Sequence, residues 1–298
     1  MKKSKNEKES ILRFSHQAMD TCFEIIFADI DKNYARQTSQ AVFAEIDRLE
    51  NLLTRFNPCS DIGQINNLKP GQFCTIGIEA FECIEKAHHI QNKTGGAFSI
   101  HYASQWKSSE KLKKEGFPLK LDSSSGRFMA ILEKGWHLTE NRVLKLDLGG
   151  MGKGFALDKA VKILNDWGIH NALVHGGTST ALAVGNPPGQ KGWSVGVAGD
   201  WNCSNISQKI FIKNRAVSSS GKQVKGEHII DPRTGLPASG HQAAWVSHPS
   251  ATTADALSTA FAVMSTSEVE DFCRKDKKAW AVVVLKNGSC KIFNQNII

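Results

Sequence analysis

Residues 146–160 read LDLGGMGKGFALDKA, with four glycines and a lysine between an apolar run and a helical segment. The preceding RVLKLDLG (142–149) alternates in polarity and predicts a strand. After Lys153, residues Ala156, Ala160, Ile163, Leu164 and Trp167 fall on one face, predicting a helix that stops at Gly168. Glycines at such a passage let the backbone approach a partner closely. The two common phosphate loops are both absent. A Walker A loop needs glycine where Asp147 stands and Ser or Thr where Gly154 stands, and a dinucleotide fingerprint begun at Gly150 meets Phe155 at its last glycine. What remains is Asp147 at a strand end and Lys153 in the first turn of a helix, whose free N–H groups favour an anion. On these residues alone, an anion contact and a tight packing turn both stand.

On either side the chain mixes the periods of strand and helix. TCFEIIFA (21–28) predicts a strand, and Val42, Ile46, Leu49 and Leu53 recur at helical spacing from Tyr34 to about Leu53. FNPCSDIGQIN (56–66) reads as loop and turn, and a second helix covers roughly Glu79–Lys93 before Gly95-Gly96. Residues 104–126, rich in Lys and Ser, read as an exposed loop. NALVHGG, TALAVGN and WSVGVAG read as short strands, KIFIKN and RAVSSSG as a further pair. AAWVSH reads as a strand before a helix from about Thr253 to Met264, with a short helix over 268–275. WAVVVLKNGSCKIF predicts two strands around an Asn-Gly turn. Without a regular βαβ repeat, the fold class expected is α+β, with mixed, largely antiparallel sheets flanked by helices. Residues 1–14 are expected to be a disordered tail and 15–298 a single domain.

Composition narrows the classes. The 298 residues are 41% hydrophobic and 22% charged, ordinary for a globular chain, and no stretch has the apolar length of a membrane span. The start, MKKSKNEKES, lacks a following apolar region and no lipoprotein cysteine is seen, so a cytoplasmic location is expected. Seven scattered cysteines without C-x-x-C argue against a disulfide framework and a thiolate zinc site. The net charge of +8 is spread among acids, which fits a solvated surface or an anionic substrate better than a nucleic-acid partner.

Three further stretches carry chemistry. In HPSATTADALSTAFAVM (248–264), Asp255 and Thr259 stand four apart on one helix face and offer the hard oxygen ligands that Mg²⁺ takes. Thr252-x-x-Asp255 also matches a capping box, which needs no metal. In GEHIIDPRTGLPA (226–238), Asp231 to Gly235 has turn residues, and His228 can accept a proton near neutral pH or be structural. In LLTRFNPCSDIGQIN (52–66), Phe56 can stack on a flat ring or cover the core.

Taken in order, DLGGMGKGFALDKA, HGGTSTALAVG, WSVGV, HIIDPRTG and TTADALSTAFAVM resemble the ApbE family, the FAD:protein FMN transferases, and LLTRFNPCSDIGQIN and TGGAF match its amino-terminal half. The resemblance spans roughly residues 15–290 and implies an ApbE-like domain. It further implies an enzyme that uses FAD with Mg²⁺, moves FMN to a Ser or Thr hydroxyl of an acceptor flavoprotein and releases AMP. Two alternatives are an FAD pyrophosphatase and a flavin-binding protein without turnover. By the same resemblance, Asp255, Thr259 and the Gly150 carbonyl would hold Mg²⁺, with Ser258 at a further metal position. Asp147, Lys153, Met19 and Ile229 would contact FAD, Phe56 and Ala97-Phe98-Ser99 would line the flavin or adenosine pocket, and His228 would be the catalytic base. The chain departs from the family pattern at Met19-Asp20-Thr21, where Met-Gly-Thr is common. It departs again at Gly96-Ala97-Phe98-Ser99-Ile100-His101, where G-A-F-D-P-T is common.

Overall fold

Alternation along the strands sets the two faces of the main sheet in this computed structural model, which describes residues 11–103, 119–132, 144–197, 201, 203, 209–221 and 229–298. The amino-terminal elements are β1 (Ile11–Ala18), β2 (Thr21–Ala28), α1 (Lys32–Leu53), α2 (Asp61–Asn66), β3 (Phe73–Thr75) and α3 (Ile78–Lys93). There follow β4 (His101–Ala103), β5 (Leu119–Asp122), β6 (Met129–Leu132), β7 (Leu144–Leu146), α4 (Gly152–Asp166), β8 (Ala172–Gly176) and β9 (Thr180–Val184). The remainder is β10 (Trp193–Gly196), β11 (Lys209–Ile212), β12 (Ala216–Gly221), β13 (Ala243–His248), α5 (Ala251–Val263), α6 (Thr266–Lys275), β14 (Trp280–Val284) and β15 (Cys290–Phe293).

Among the described residues the main sheet runs β1-β2-β8-β9-β12-β13-β14-β15, with every neighbouring pair antiparallel. In β2, Phe23, Ile25 and Phe27 join the core beneath the helices, while Ile26 and Ala28 join a second cluster on the opposite face. The same parity holds in β9, where Leu182 and Val184 face the helices and Ala181 and Ala183 face away. Burial on both sides makes Ile25–Ala28 of β2 and Ala181–Val184 of β9 continuously apolar. The outer face is closed by the β10–β11 hairpin, through Trp193, Ile210 and Ile212. On the inner face α5 packs against β12, β13 and α4, and α1 packs against α4.

The helix ends follow local chemistry. The carboxylate of Asp31 accepts from the N–H groups of Asn33 and Tyr34, each at 2.9 Å, opening α1. The buried stripe Ala35, Val42, Ile46, Leu49 and Leu53 then follows the helical period. Ser265 and Glu268 form a reciprocal capping box at α6.

Several expectations require correction. β1 begins at Ile11 and pairs with β2 along its length, so residues 11–14 belong to the sheet and not to a tail. FNPCSDIGQIN contains α2, because the Ser60 hydroxyl accepts from Gly63 N–H at 2.9 Å and starts a helix within the expected loop. KIFIKN and RAVSSSG do not pair with each other: β11 pairs with β10, and β12 lies between β9 and β13. The expected loop at 104–126 includes β5, whereas 104–118 lie outside the described residues. Cys203 and Cys290 are joined as a disulfide with a Cα–Cα distance of 5.3 Å, against the expectation drawn from scattered cysteines. Spacing alone does not reveal that Cys203, between β10 and β11 in the chain, meets Cys290 at the start of β15. No described helix is long and apolar enough to cross a membrane.

Candidate active site

The site forms where the turn before α4 meets the middle of α5. Both helices pack tightly here, since an added Cβ at Gly154 would lie 2.8 Å from Asp255 Cβ and collide with the Ala251 carbonyl. Asp255 is only 3% exposed. One carboxylate oxygen accepts from Gly154 N–H at 3.0 Å, and Lys153 Nζ lies 3.8 Å from the same atom. The other oxygen accepts from the hydroxyls of Ser218 at 2.9 Å and Thr180 at 3.3 Å. Ser218 and Thr180 are register partners on β12 and β9, and the parity of β12 turns Ser218 towards the helices.

The capping-box alternative for Asp255 is not realised. Ser250 is the N-cap of α5, accepting from Thr253 N–H. Asp158 of α4 reinforces it, accepting from the Ser250 hydroxyl at 2.7 Å, Ala251 N–H at 2.7 Å, Thr252 N–H at 3.1 Å and the Thr252 hydroxyl at 2.6 Å. With its end satisfied from elsewhere, α5 leaves the Asp255 carboxylate free to face α4.

One turn along α5, the Thr259 hydroxyl lies 3.1 Å from the Ser220 hydroxyl, and the space beside Gly150 opens onto it. A Cβ added at Gly150 would stand 3.6 Å from Thr259 Oγ1 and 3.3 Å from the Phe98 ring. Gly150 thus lies beside Thr259, one turn along α5 from Asp255, and a carbonyl, a hydroxyl and a carboxylate are oxygen donors of the kind a hard divalent cation takes. The Ser258 side chain is fully buried, donating to the Asp255 carbonyl at 2.8 Å and lying 2.8 Å from the Ser220 hydroxyl. Its hydroxyl is turned into the helix–sheet contact.

Asp147 directly follows β7, and in the turn it accepts from Gly149 N–H at 2.9 Å. Arg55 faces it with Nε at 3.3 Å, and the Arg55 guanidinium lies 4.6 Å from the centre of the Phe56 ring. Phe56 is 82% exposed, so it does not cover the core. Ala97 and Phe98 are buried, Phe98 against Gly150, and the Ser99 hydroxyl accepts from His101 N–H at 3.1 Å. Burial pushes the His101 imidazole down to about 3, with His88 nearby adding to the effect, and burial pushes His88 to about 4.

The remaining expected residues lie further round. Met19 sits in the tight β1–β2 turn at a positive φ of 49°, its N–H donating to Glu50 Oε1 of α1 at 2.8 Å. Ile229 is buried, and its carbonyl accepts from Ala238 N–H at 2.8 Å across the Asp231–Gly235 turn. Arg233 of that turn packs within 3.6 Å of the Cβ position of Gly96, which ties the turn to Ala97-Phe98. A cavity of about 390 Å³ beside the turn is lined by Asp231, Arg233, His241 and Glu268. It lies apart from the Asp255 carboxylate. His228 lies outside the described residues.

Sequence reading missed Arg55, Asp158, Thr180, Ser218 and Ser220. The serines had a signal: in AVSSSG the first and third serines share the parity of the buried Ala216, so they point into the core and need polar partners there. Arg55 and Asp158 had none, because their ionic and hydrogen-bond partners lie 92 to 94 residues away in elements that only the fold brings together.

Known proteins share the family and the fold of this chain. The model of the ApbE family matches residues 19–284. A relative from Buchnera aphidicola, called FAD:protein FMN transferase, is 22% identical over 307 residues, covering 96% of this chain and 89% of its own. The crystal structure of the flavinyl transferase ApbE of Pseudomonas stutzeri in its apo form superposes with a TM-score of 0.78 at 18% identity, covering 97% of each chain. The ApbE protein of Thermotoga maritima superposes with a TM-score of 0.78 at 25% identity, covering 96% of this chain and 98% of that one. With the family's model extending over most of its length and the same architecture in both structures, this chain belongs to the ApbE family.

Proposed function

We propose that this chain is an Mg²⁺-dependent FAD:protein FMN transferase, which moves FMN from FAD to a Ser or Thr hydroxyl of an acceptor flavoprotein and releases AMP. The observation that carries the reading is the buried Asp255 carboxylate with Lys153 at its edge, one helical turn from Thr259, which lies beside Gly150, in a member of this family. Asp255, Thr259 and the Gly150 carbonyl would hold the metal. Bound there, Mg²⁺ supplies charge neutralisation at the pyrophosphate.

This chain's residues would do the rest. Lys153 orients the pyrophosphate. Asp147, Met19 and Ile229 contact the nucleotide, with Phe56 and the Ala97–Ser99 segment lining its rings. The acceptor oxygen attacks the phosphorus on the FMN side, the bond from that phosphorus to the bridging oxygen breaks, and AMP leaves with that oxygen. His228 takes the proton of the attacking hydroxyl.

The test incubates the full chain with FAD, Mg²⁺ and an acceptor flavoprotein, following AMP release and flavin fluorescence fixed to the acceptor after denaturing electrophoresis. Fluorescent acceptor with stoichiometric AMP is expected, and Asp255→Asn should lower the rate by a factor of roughly 10² or more, as loss of a metal ligand does. AMP and free FMN alone would establish hydrolysis in place of transfer. A yellow protein with neither product would establish binding without turnover.

A further inference from the structure

The partners of Asp255 are unequal. Three of its four contacts come from neutral donors fixed by the fold: a helix N–H and two hydroxyls on neighbouring strands. Lys153 alone brings a charge, at 3.8 Å, with the lysine side chain 24% exposed and the carboxylate side chain 4% exposed. A carboxylate buried this far is costly without an opposite charge. The ammonium is held by electrostatics beyond hydrogen-bond length, on a flexible four-carbon stem that reaches towards solvent.

A carboxylate offers about four lone-pair positions. Three are committed to groups that cannot leave without moving α4, β9 or β12. A cation arriving at Asp255 therefore meets the position that Lys153 faces, and two positive charges at that range repel.

We propose that Lys153 is an exchangeable counter-cation for Asp255: it neutralises the carboxylate when the site lacks metal and leaves it for an anionic phosphate when metal binds. The inference rests on the reading that Asp255, Thr259 and Gly150 hold a divalent cation. It has a consequence in binding. Lys153 opposes metal in the absence of nucleotide and rewards metal in its presence, so the two ligands bind cooperatively through this one side chain.

The experiment measures Mn²⁺ binding to the full chain by electron paramagnetic resonance, with and without ADP as the pyrophosphate-bearing probe, for wild type, Lys153→Met, Lys153→Gln, Lys153→Arg and Asp255→Asn. Without ADP, the two neutral variants should bind Mn²⁺ about three- to tenfold tighter than wild type, the scale of a partly screened like-charge repulsion. Lys153→Arg should behave as wild type. ADP should tighten Mn²⁺ binding in wild type and far less in the neutral variants. Unchanged or weaker Mn²⁺ binding in both neutral variants, with Asp255→Asn still abolishing it, would overturn the exchange and leave the metal reading standing. Wild-type affinity in Asp255→Asn, or no binding by wild type, would overturn the metal reading and this inference with it.

Discussion

Gly154 has no space for a methyl group, because a Cβ there would sit 2.6 Å from the Ala251 carbonyl carbon and 2.8 Å from Asp255 Cβ. Alanine is the better helix former by about 1 kcal/mol, so in an open helix Gly154→Ala would stabilise. Here the overlap forces α4 and α5 apart, and the variant should lose about 1–3 kcal/mol, read as a lower urea midpoint. Mn²⁺ binding should weaken with it, since the same contact seats Gly154 N–H against the Asp255 carboxylate. The glycine-rich turn itself is plain in the sequence, and so is the Asp255–Thr259 spacing. What the sequence leaves open is which interaction claims Asp255. Capping box and ligand face use the same residues, and only the position of Asp158, on another helix, decides between them.

At the scale of elements, α5 is held by a cap from outside itself. Asp158 accepts from two backbone N–H groups and two hydroxyls at the α5 start, joining α4 to α5 at the end of the site. Asp158→Ala should cost about 2–4 kcal/mol, measured by chemical denaturation, and Asp158→Asn, which retains an acceptor, should recover part of that. Elements with a strong signal of their own were legible: β2, α1 and the β14–β15 hairpin follow from a β-branched and aromatic run, helical spacing and the Asn-Gly turn. β10 and β11 were seen as strands but not as partners, because strand pairing across a long connection is set by the shared apolar cluster of Trp193, Ile210 and Ile212. α2 was missed because six residues carry too little period to separate a helix from a turn.

For the whole molecule, acid is the informative perturbation. His88 and His101 are held neutral by burial, at about 4 and about 3, against an ordinary value near 6.5 when the chain is unfolded. Both folded values are depressed, so the unfolded chain binds more protons below pH 6.5. Their contribution to stability is full above that value and is lost as pH falls towards 4 and then 3. The melting temperature should fall steadily from about pH 6 to pH 4, and His88→Gln should flatten the slope, as followed by circular dichroism. The Cys203–Cys290 link acts on a different property of the chain. It closes a covalent ring between cysteines 87 positions apart that contains β11 to β14 with α5 and α6 between them. Asp255, Ser258 and Thr259 ride inside this ring, while Asp147, Gly150 and Lys153 belong to the open chain before it. A protease that cuts once between the two cysteines therefore leaves both pieces tethered, and they can part only after the bond is reduced.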